Sequence, residues 1–161
     1  MQNIVIVGDT CAGKTSFARY LTGHEFTESY MVTIGKDMHI LENLVVHDIG
    51  GQKRFSKSCE AYYKHAHGAL VFYESGSNSS VSKWIKLLRK ENKDIPIVIV
   101  CNKIDLKENK DDWKEPCVSI SCKTGENVDK VMDMLTPKLI KISPPETWYE
   151  HYLRFDYCSV Q

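Results

Sequence analysis

The sequence predicts a doubly wound α/β domain on a mostly parallel six-stranded sheet, and three observations carry that prediction. Short apolar runs alternate with segments of helical periodicity along most of the chain. Residues 69–74 and 96–101 are continuously apolar rather than alternating, the pattern of parallel strands buried on both faces. The first apolar run, Ile4-Val5-Ile6-Val7, leads into a glycine-bearing loop and then a helix-compatible stretch.

Taken in order, strands are expected at 3–7, 37–41, 44–48, 69–74, 96–101 and 117–121, with helices at 14–22, around 53–65, 80–92 and 127–141. Leu41-Glu42-Asn43-Leu44 reads as a tight hairpin between the second and third strands. Ser79 or Ser80 is placed to cap the helix carrying Trp84, Ile85, Leu87 and Leu88. Gly125-Glu126-Asn127 is placed likewise before Val128, Val131, Met132 and Leu135. Pro144-Pro145 is expected to end the compact part, so that residues 1–142 form one domain and 143–161 a C-terminal tail.

A chain of 161 residues suits one domain with a single sheet core. Its formal net charge of zero provides no electrostatic footprint for nucleic acid, which is excluded as an expected partner. No secretory leader or membrane-length apolar run is visible, and the six cysteines show no C-x-x-C spacing. Those features fit a reducing, cytoplasmic setting.

Gly8-Asp9-Thr10-Cys11-Ala12-Gly13-Lys14-Thr15, followed by Ser16, has the form G-x-x-x-x-G-K-[ST] between a strand and a helix. In that setting successive backbone N–H groups surround a phosphate, and glycines permit angles that a Cβ resists. Lys14 is expected to reach the β- and γ-phosphates and the Thr15 hydroxyl to hold Mg²⁺ at the helix start, where the dipole favours an anion. Asp48-Ile49-Gly50-Gly51-Gln52 follows the third strand. There Asp48 can hold the metal through water, Gly51 can offer its N–H to a γ-phosphate, and Gln52 can orient the attacking water; taken alone, the segment is as readily a strand ending in a polar turn.

Asn102-Lys103-Ile104-Asp105 closes the 96–101 strand. A carboxylate at Asp105 can accept two hydrogen bonds from the guanine edge, which adenine cannot supply. Asn102 is placed to tie loops together, and the Lys103 stem to lie on the ring. Ser121-Cys122-Lys123 is placed to present backbone N–H groups to the guanine O6, with Lys123 flanking the base, although a strand–turn–helix junction reads the same way.

Together these residues resemble the Ras superfamily of small GTPases over roughly residues 3–142. Arg54-Phe55, Tyr62-Tyr63-Lys64-His65-Ala66-His67-Gly68, and Thr33-Ile34-Gly35 after Tyr30 look most like the Rab branch. The resemblance implies a P-loop fold of the small GTPase type, GTP or GDP as ligand, Mg²⁺ as cofactor, and effector, exchange-factor and GTPase-activating partners. It makes Thr33 the first-switch threonine that joins the Mg²⁺ shell when a γ-phosphate is present. Phe26 becomes the aromatic packed edge-on against guanine, and Tyr30 the residue closing over the phosphates. From the residues alone, Thr33 and Phe26 read equally as a loop threonine and a core aromatic.

The chain also departs from that pattern. Only 14 residues separate Thr33 from Asp48, so the hairpin between the switches is expected to be clipped, and Met38 stands where Rab proteins commonly carry an aromatic effector contact. Between Asp105 and Ser121 lie 15 residues, where the family fits a whole helix. That is enough for a parallel crossover with a turn of helix at most. The sheet face beneath then needs another cover, expected in part from Trp113 and from a docked tail bearing Trp148, Tyr149, Tyr152 and Phe155. Cys158-Ser159-Val160-Gln161 fits C-a-a-X with an imperfect first "a". This makes Cys158 a candidate for lipidation and the cytosolic face of a membrane a candidate location, without a polybasic second signal.

The reading that results is a Rab-like GTP/GDP switch with slow intrinsic hydrolysis, in which Lys14, Thr33 and Gln52 serve the reaction. Thr10 crowds the space near Gln52, and the first switch has no arginine, so stimulation is expected to need a partner protein. Two other readings remain at this level. One is a non-hydrolysing guanine-nucleotide-binding interaction module. The other is a P-loop phosphotransferase, which has no use for Asn102-Lys103-x-Asp105.

Overall fold

A computed structural model describes residues 1–28, 32–51, 59–108 and 111–139. In chain order they form β1 (Gln2–Gly8), α1 (Lys14–Leu21), β2 (Lys36–Leu41), β3 (Leu44–Ile49), α2 (Glu60–His65), β4 (Gly68–Glu74), α3 (Val81–Glu91), β5 (Ile97–Asn102), β6 (Cys117–Ser119) and α4 (Val128–Leu139). The strands join one sheet in the order β2-β3-β1-β4-β5-β6, with β2 antiparallel to β3 and the other pairs parallel. Because β1 leads on to neighbours on both sides, a crevice opens beyond the carboxyl ends of the strands. Tyr30, Gln52, Arg54-Phe55, the aromatic tail and Cys158 lie outside the described residues.

The period of two along each strand explains the unbroken apolar runs. Ile4, Ile6, Leu70, Phe72, Val98 and Val100 pack on one face, against Phe17 and Ala18 of α1 and Val128, Val131 and Leu135 of α4. Val5, Val7, Ala69, Val71, Ile97 and Ile99 pack on the other, against Tyr63 of α2 and Val81 and Leu88 of α3. With both faces covered, no strand residue in the centre needs to be polar, and each buried Leu or Ile contributes about 1.5–3 kcal/mol.

Both shortened segments take definite form. Leu41 pairs with Leu44, so only Glu42 and Asn43 join β2 to β3, and the hairpin is six residues deep on each side. No helix occurs between β5 and β6 among the described residues. Instead Trp113 packs on that face, its ring edge-on to Tyr73 at 5.9 Å and its Nε1–H donating to the Tyr73 hydroxyl at 3.2 Å. Arg89 of α3 pins the connection by donating to Glu115 at 2.9 Å and to the Ile95 carbonyl at 2.7 Å.

Three local expectations are corrected. Ser80 occupies the N-cap of α3 but makes no capping bond: its own backbone is already helical (φ −93°, ψ −17°), and its Oγ is buried without a partner among the described residues. Asn127 takes a left-handed conformation (φ +57°), and its amide donates to the Ser119 carbonyl at 3.1 Å. β6 ends at Ser119 rather than at 121, because the Ser121 N–H turns away to the Glu126 carbonyl at 3.1 Å.

His67, just before β4, is buried, and its Nδ1 accepts the Asn3 N–H at 2.9 Å. Burial holds its pKa below the usual imidazole value, because the charged form loses water. The unfolded chain therefore binds a proton more readily than the folded one, and stability falls as pH drops through about 6.5 towards the folded pKa, then levels off. Urea midpoints measured from pH 8 to 5 are expected to show that slope, and His67→Gln to shrink it; equal slopes would show that other groups set the acid sensitivity.

Candidate functional site

β1 stops at Gly8 because the chain there passes against β4. A Cβ at Gly8 would lie 2.1 Å from the Phe72 carbonyl oxygen, and φ is +144°. The following loop again takes positive φ at Cys11 (+65°) and Gly13 (+89°). Such reversals turn successive N–H groups into a concave nest that α1 continues with its own free amides. A Cβ at Gly13 would fall 2.0 Å from Asn102 Nδ2, so glycine is required by the β5 end as well as by the backbone angle.

Lys14 opens α1 and is only 6% exposed. Its ammonium donates to the carbonyls of Gly8 at 3.0 Å and Asp9 at 2.8 Å. Burial lowers its pKa below the ordinary lysine value, which the carboxylates of Asp48 and Asp9 only partly oppose. A buried cation bonded to two neutral oxygens gains most from an anion brought into the nest.

One helical step on, Thr15 Oγ1 donates to Asp48 Oδ2 at 2.5 Å. Thr33 Oγ1 lies 3.0 Å from Thr15 Oγ1 and 3.4 Å from Asp48 Oδ2. Asp48 is fully buried at the end of β3, its Oδ1 has no partner among the described residues, and desolvation raises its pKa. Two hydroxyls and a carboxylate with a spare buried oxygen form a hard-oxygen corner, the donor chemistry that Mg²⁺ takes. No group of three His, Cys, Asp or Glu side chains suited to a metal occurs among the described residues.

The 32–35 and 50–51 segments close against this corner. The Gly50 N–H donates to the Gly35 carbonyl at 2.8 Å. A Cβ at Gly51 would lie 2.5 Å from the Thr10 nitrogen, 2.7 Å from the Asp9 carbonyl carbon and 2.7 Å from the Gly8 oxygen. Gly51 thus rests on the backbone of the first loop.

At the other end, Asn102 is buried and joins two loops: its amide donates to the Ala12 carbonyl at 3.0 Å and its oxygen accepts the Cys122 N–H at 3.1 Å. Asp105 is exposed, and its Oδ1 accepts the Ser121 hydroxyl at 2.6 Å. The three amides expected from Ser121-Cys122-Lys123 are reduced by these bonds. Those of Ser121 and Cys122 are already committed, to Glu126 and Asn102, which leaves that of Lys123. Lys103, at φ +66°, pairs with Glu74 at 2.8 Å. Lys123 pairs with Glu28 at 2.9 Å across the mouth of the site.

A cleft of about 440 Å³ connects all of this, running from Thr10, Cys11, Gly13, Lys14, Thr15 and Ser16 past Thr33 and Gly51 to Phe26, Asn102, Lys103, Asp105, Cys122 and Lys123. That volume is within the range of small-molecule sites. Gly8, Asp9, Ala12, Asp48 and Ser121 support the walls from behind. Sequence reasoning missed Arg19 and Glu28, which also line the cleft, and Glu74 and Trp84, which brace Lys103 and Asp9. Arg19 was findable, since it stands four residues after Thr15 and so on the same helical face.

The sheet order and the loop after β1 define a P-loop α/β domain. A family model described as Ras of Complex, Roc, domain of DAPkinase matches residues 3–105. The chain is 34% identical over 158 residues to Ras-related protein Rab-5B of Plasmodium falciparum, covering 84% of this chain and 76% of that protein. It is 35% identical over 116 residues to a Ras and EF-hand domain-containing protein of Danio rerio, covering 65% of this chain and 18% of the relative. To the Caenorhabditis elegans homolog of that protein it is 29% identical over 168 residues, covering 89% of this chain and 26% of the relative. The chain therefore corresponds to only a part of the Ras and EF-hand proteins. It belongs to the Ras superfamily of small GTPases and is Rab-like. Membership carries guanine-nucleotide binding and GTP hydrolysis as the general activity of the family.

Proposed function

We propose that this chain is a GTP/GDP switch that hydrolyses GTP slowly by itself, uses Mg²⁺, and changes partners with its nucleotide. The observation that carries this reading is the meeting of Thr33 and Thr15, both partly buried, with the buried Asp48 in one oxygen corner beside Lys14. A loop that reaches a phosphate and metal site with its own hydroxyl is ordered by what that site holds. Effectors, an exchange factor and a GTPase-activating protein are the partners such a switch needs, and a role in membrane traffic or signalling follows from Rab-like character.

In this reading Gly8 to Ser16 wrap the phosphates with backbone amides, and Lys14 turns from its two carbonyls to the β- and γ-oxygens. Thr15, Thr33 and Asp48 would hold Mg²⁺, which when bound neutralises charge on the transferred phosphoryl group. The Gly51 N–H faces the γ-phosphate from the position it takes on the Asp9 and Thr10 backbone. Gln52 orients the attacking water, and Tyr30 closes over the phosphates. Phe26, Lys103 and Lys123 flank the base, while Asp105 reads its edge.

Slow turnover is supported by crowding. The Gly51 backbone runs so close to Thr10 that a Cβ there would lie 2.5 Å from the Thr10 nitrogen, and in this reading the Thr10 side chain narrows the space where Gln52 and an incoming arginine would act. Single-turnover hydrolysis by the purified chain is expected at about 10⁻⁴ to 10⁻³ s⁻¹. A rate above about 10⁻² s⁻¹ without a partner overturns the slow-switch reading. No release of phosphate over many hours favours a binding module instead.

A further inference from the structure

The first loop carries an acid, Asp9, in the middle of groups that otherwise favour an anion. Asp9 borders Lys14 through its carbonyl, at 2.8 Å, and underlies Gly51, where an added Cβ would lie 2.7 Å from the Asp9 carbonyl carbon. Its peptide therefore lies on the γ-phosphate side of the proposed site. A carboxylate free to swing there would oppose a triphosphate: at about 6 Å, one unit charge on another changes affinity by roughly threefold to a hundredfold between water-like and protein-like dielectric.

The side chain is not free. Its Oδ1 accepts the indole Nε1–H of Trp84 at 3.1 Å, from a helix 75 residues away. Trp84 is fixed in turn, because its ring packs against the buried cluster beneath β1, β4 and β5. Neither residue lines the cleft, although Thr10, Cys11, Gly13 and Lys14 do. The indole has a donor and no acceptor, so it holds a carboxylate and ignores a phosphate-facing amide.

We infer that Trp84 is a positioning residue for the phosphate loop: its indole N–H holds the Asp9 carboxylate outside the cleft and so keeps the affinity for guanosine triphosphate from falling relative to that for the diphosphate. This rests on the guanine-nucleotide reading above and adds to it a specificity determinant on α3. The effect falls on the triphosphate because the added γ-phosphate brings negative charge closest to the Asp9 and Gly51 backbone. It weakens with salt, as a charge effect at a partly exposed site does.

The test measures dissociation constants of the full chain for a non-hydrolysable GTP analogue and for GDP, both with Mg²⁺. Trp84→Phe keeps the aromatic packing and removes the donor. It is expected to weaken the triphosphate analogue about tenfold more than GDP, with the difference shrinking in 0.5 M salt. Asp9→Ala in the same chain is expected to restore the ratio, because no carboxylate remains to be misplaced. Should Trp84→Phe fail to fold, Asp9→Glu and Asp9→Gln form a matched pair. The longer acid overshoots the indole and lowers the ratio, whereas the neutral amide leaves it unchanged. Equal losses for both nucleotides, no rescue by Asp9→Ala, or identical behaviour of Asp9→Glu and Asp9→Gln overturns the inference while leaving the functional reading intact. A wild-type chain that binds neither nucleotide overturns both.

Discussion

Asp105→Ala is expected to remove most of the discrimination between guanine and adenine nucleotides, by about 10² to 10⁴-fold. Two hydrogen bonds from the guanine edge to a charged acceptor are each worth about 1.5–3 kcal/mol, and adenine, lacking that pair of donors, leaves the carboxylate unpaired. The Ser121 hydroxyl, at 2.6 Å, already holds one carboxylate oxygen in place, so the second is the freer to take the base. Competition of GDP and ADP against a labelled guanine nucleotide reads the effect. The fold is not expected to suffer, because Asp105 is exposed and its loss buries nothing unsatisfied but the Ser121 hydroxyl. An Asp105→Ala chain that still prefers guanine a thousandfold would move base recognition elsewhere.

Asn102→Ala is expected to damage both stability and binding. Its two bonds are buried and run to different loops, one to the Ala12 carbonyl and one to the Cys122 N–H. Alanine leaves both backbone groups without a partner, which costs about 2–4 kcal/mol in a buried setting. Because the lost side chain is what holds the phosphate loop and the base loop in register, affinity for GDP is expected to fall by about 10- to 100-fold beyond what stability alone imposes. Urea unfolding of the nucleotide-free chain and GDP titration of the folded fraction separate the two. Loss of stability with unchanged affinity of the folded protein would confine Asn102 to packing.

What was legible in the sequence was local. Gly8, Gly13 and Lys14 could be placed because a strand, a positive φ and a helix start lie within eight consecutive positions, where spacing fixes geometry. The tight turn of the β2–β3 hairpin was legible in Leu41-Glu42-Asn43-Leu44, and Trp113 as part of the cover beside β5 followed from the brevity of the β5–β6 connection. The illegible part was tertiary. Whether the Cys122 amide was free for a base depended on Asn102, 20 residues before it. Ser80 has the composition of a cap, but the helical backbone at that position keeps its hydroxyl from the turn it precedes. The bracing of Asp9 by Trp84 and of Lys103 by Glu74 joins elements that only the sheet order brings together.

The charge distribution of the cleft makes one further demand. Burial lowers the pKa of Lys14 and raises that of Asp48, and in the proposed reading a phosphate beside the one and a cation beside the other favour both charged forms at once. A ligand that binds only the folded state then stabilises it by mass action, about 2.7 kcal/mol at a hundredfold excess over its dissociation constant. The most direct measurement is therefore the melting temperature of the nucleotide-free chain with GDP and Mg²⁺, with ADP and Mg²⁺, and with neither. The account predicts a rise of several degrees with GDP alone of the two nucleotides; equal melting in all three would contradict it.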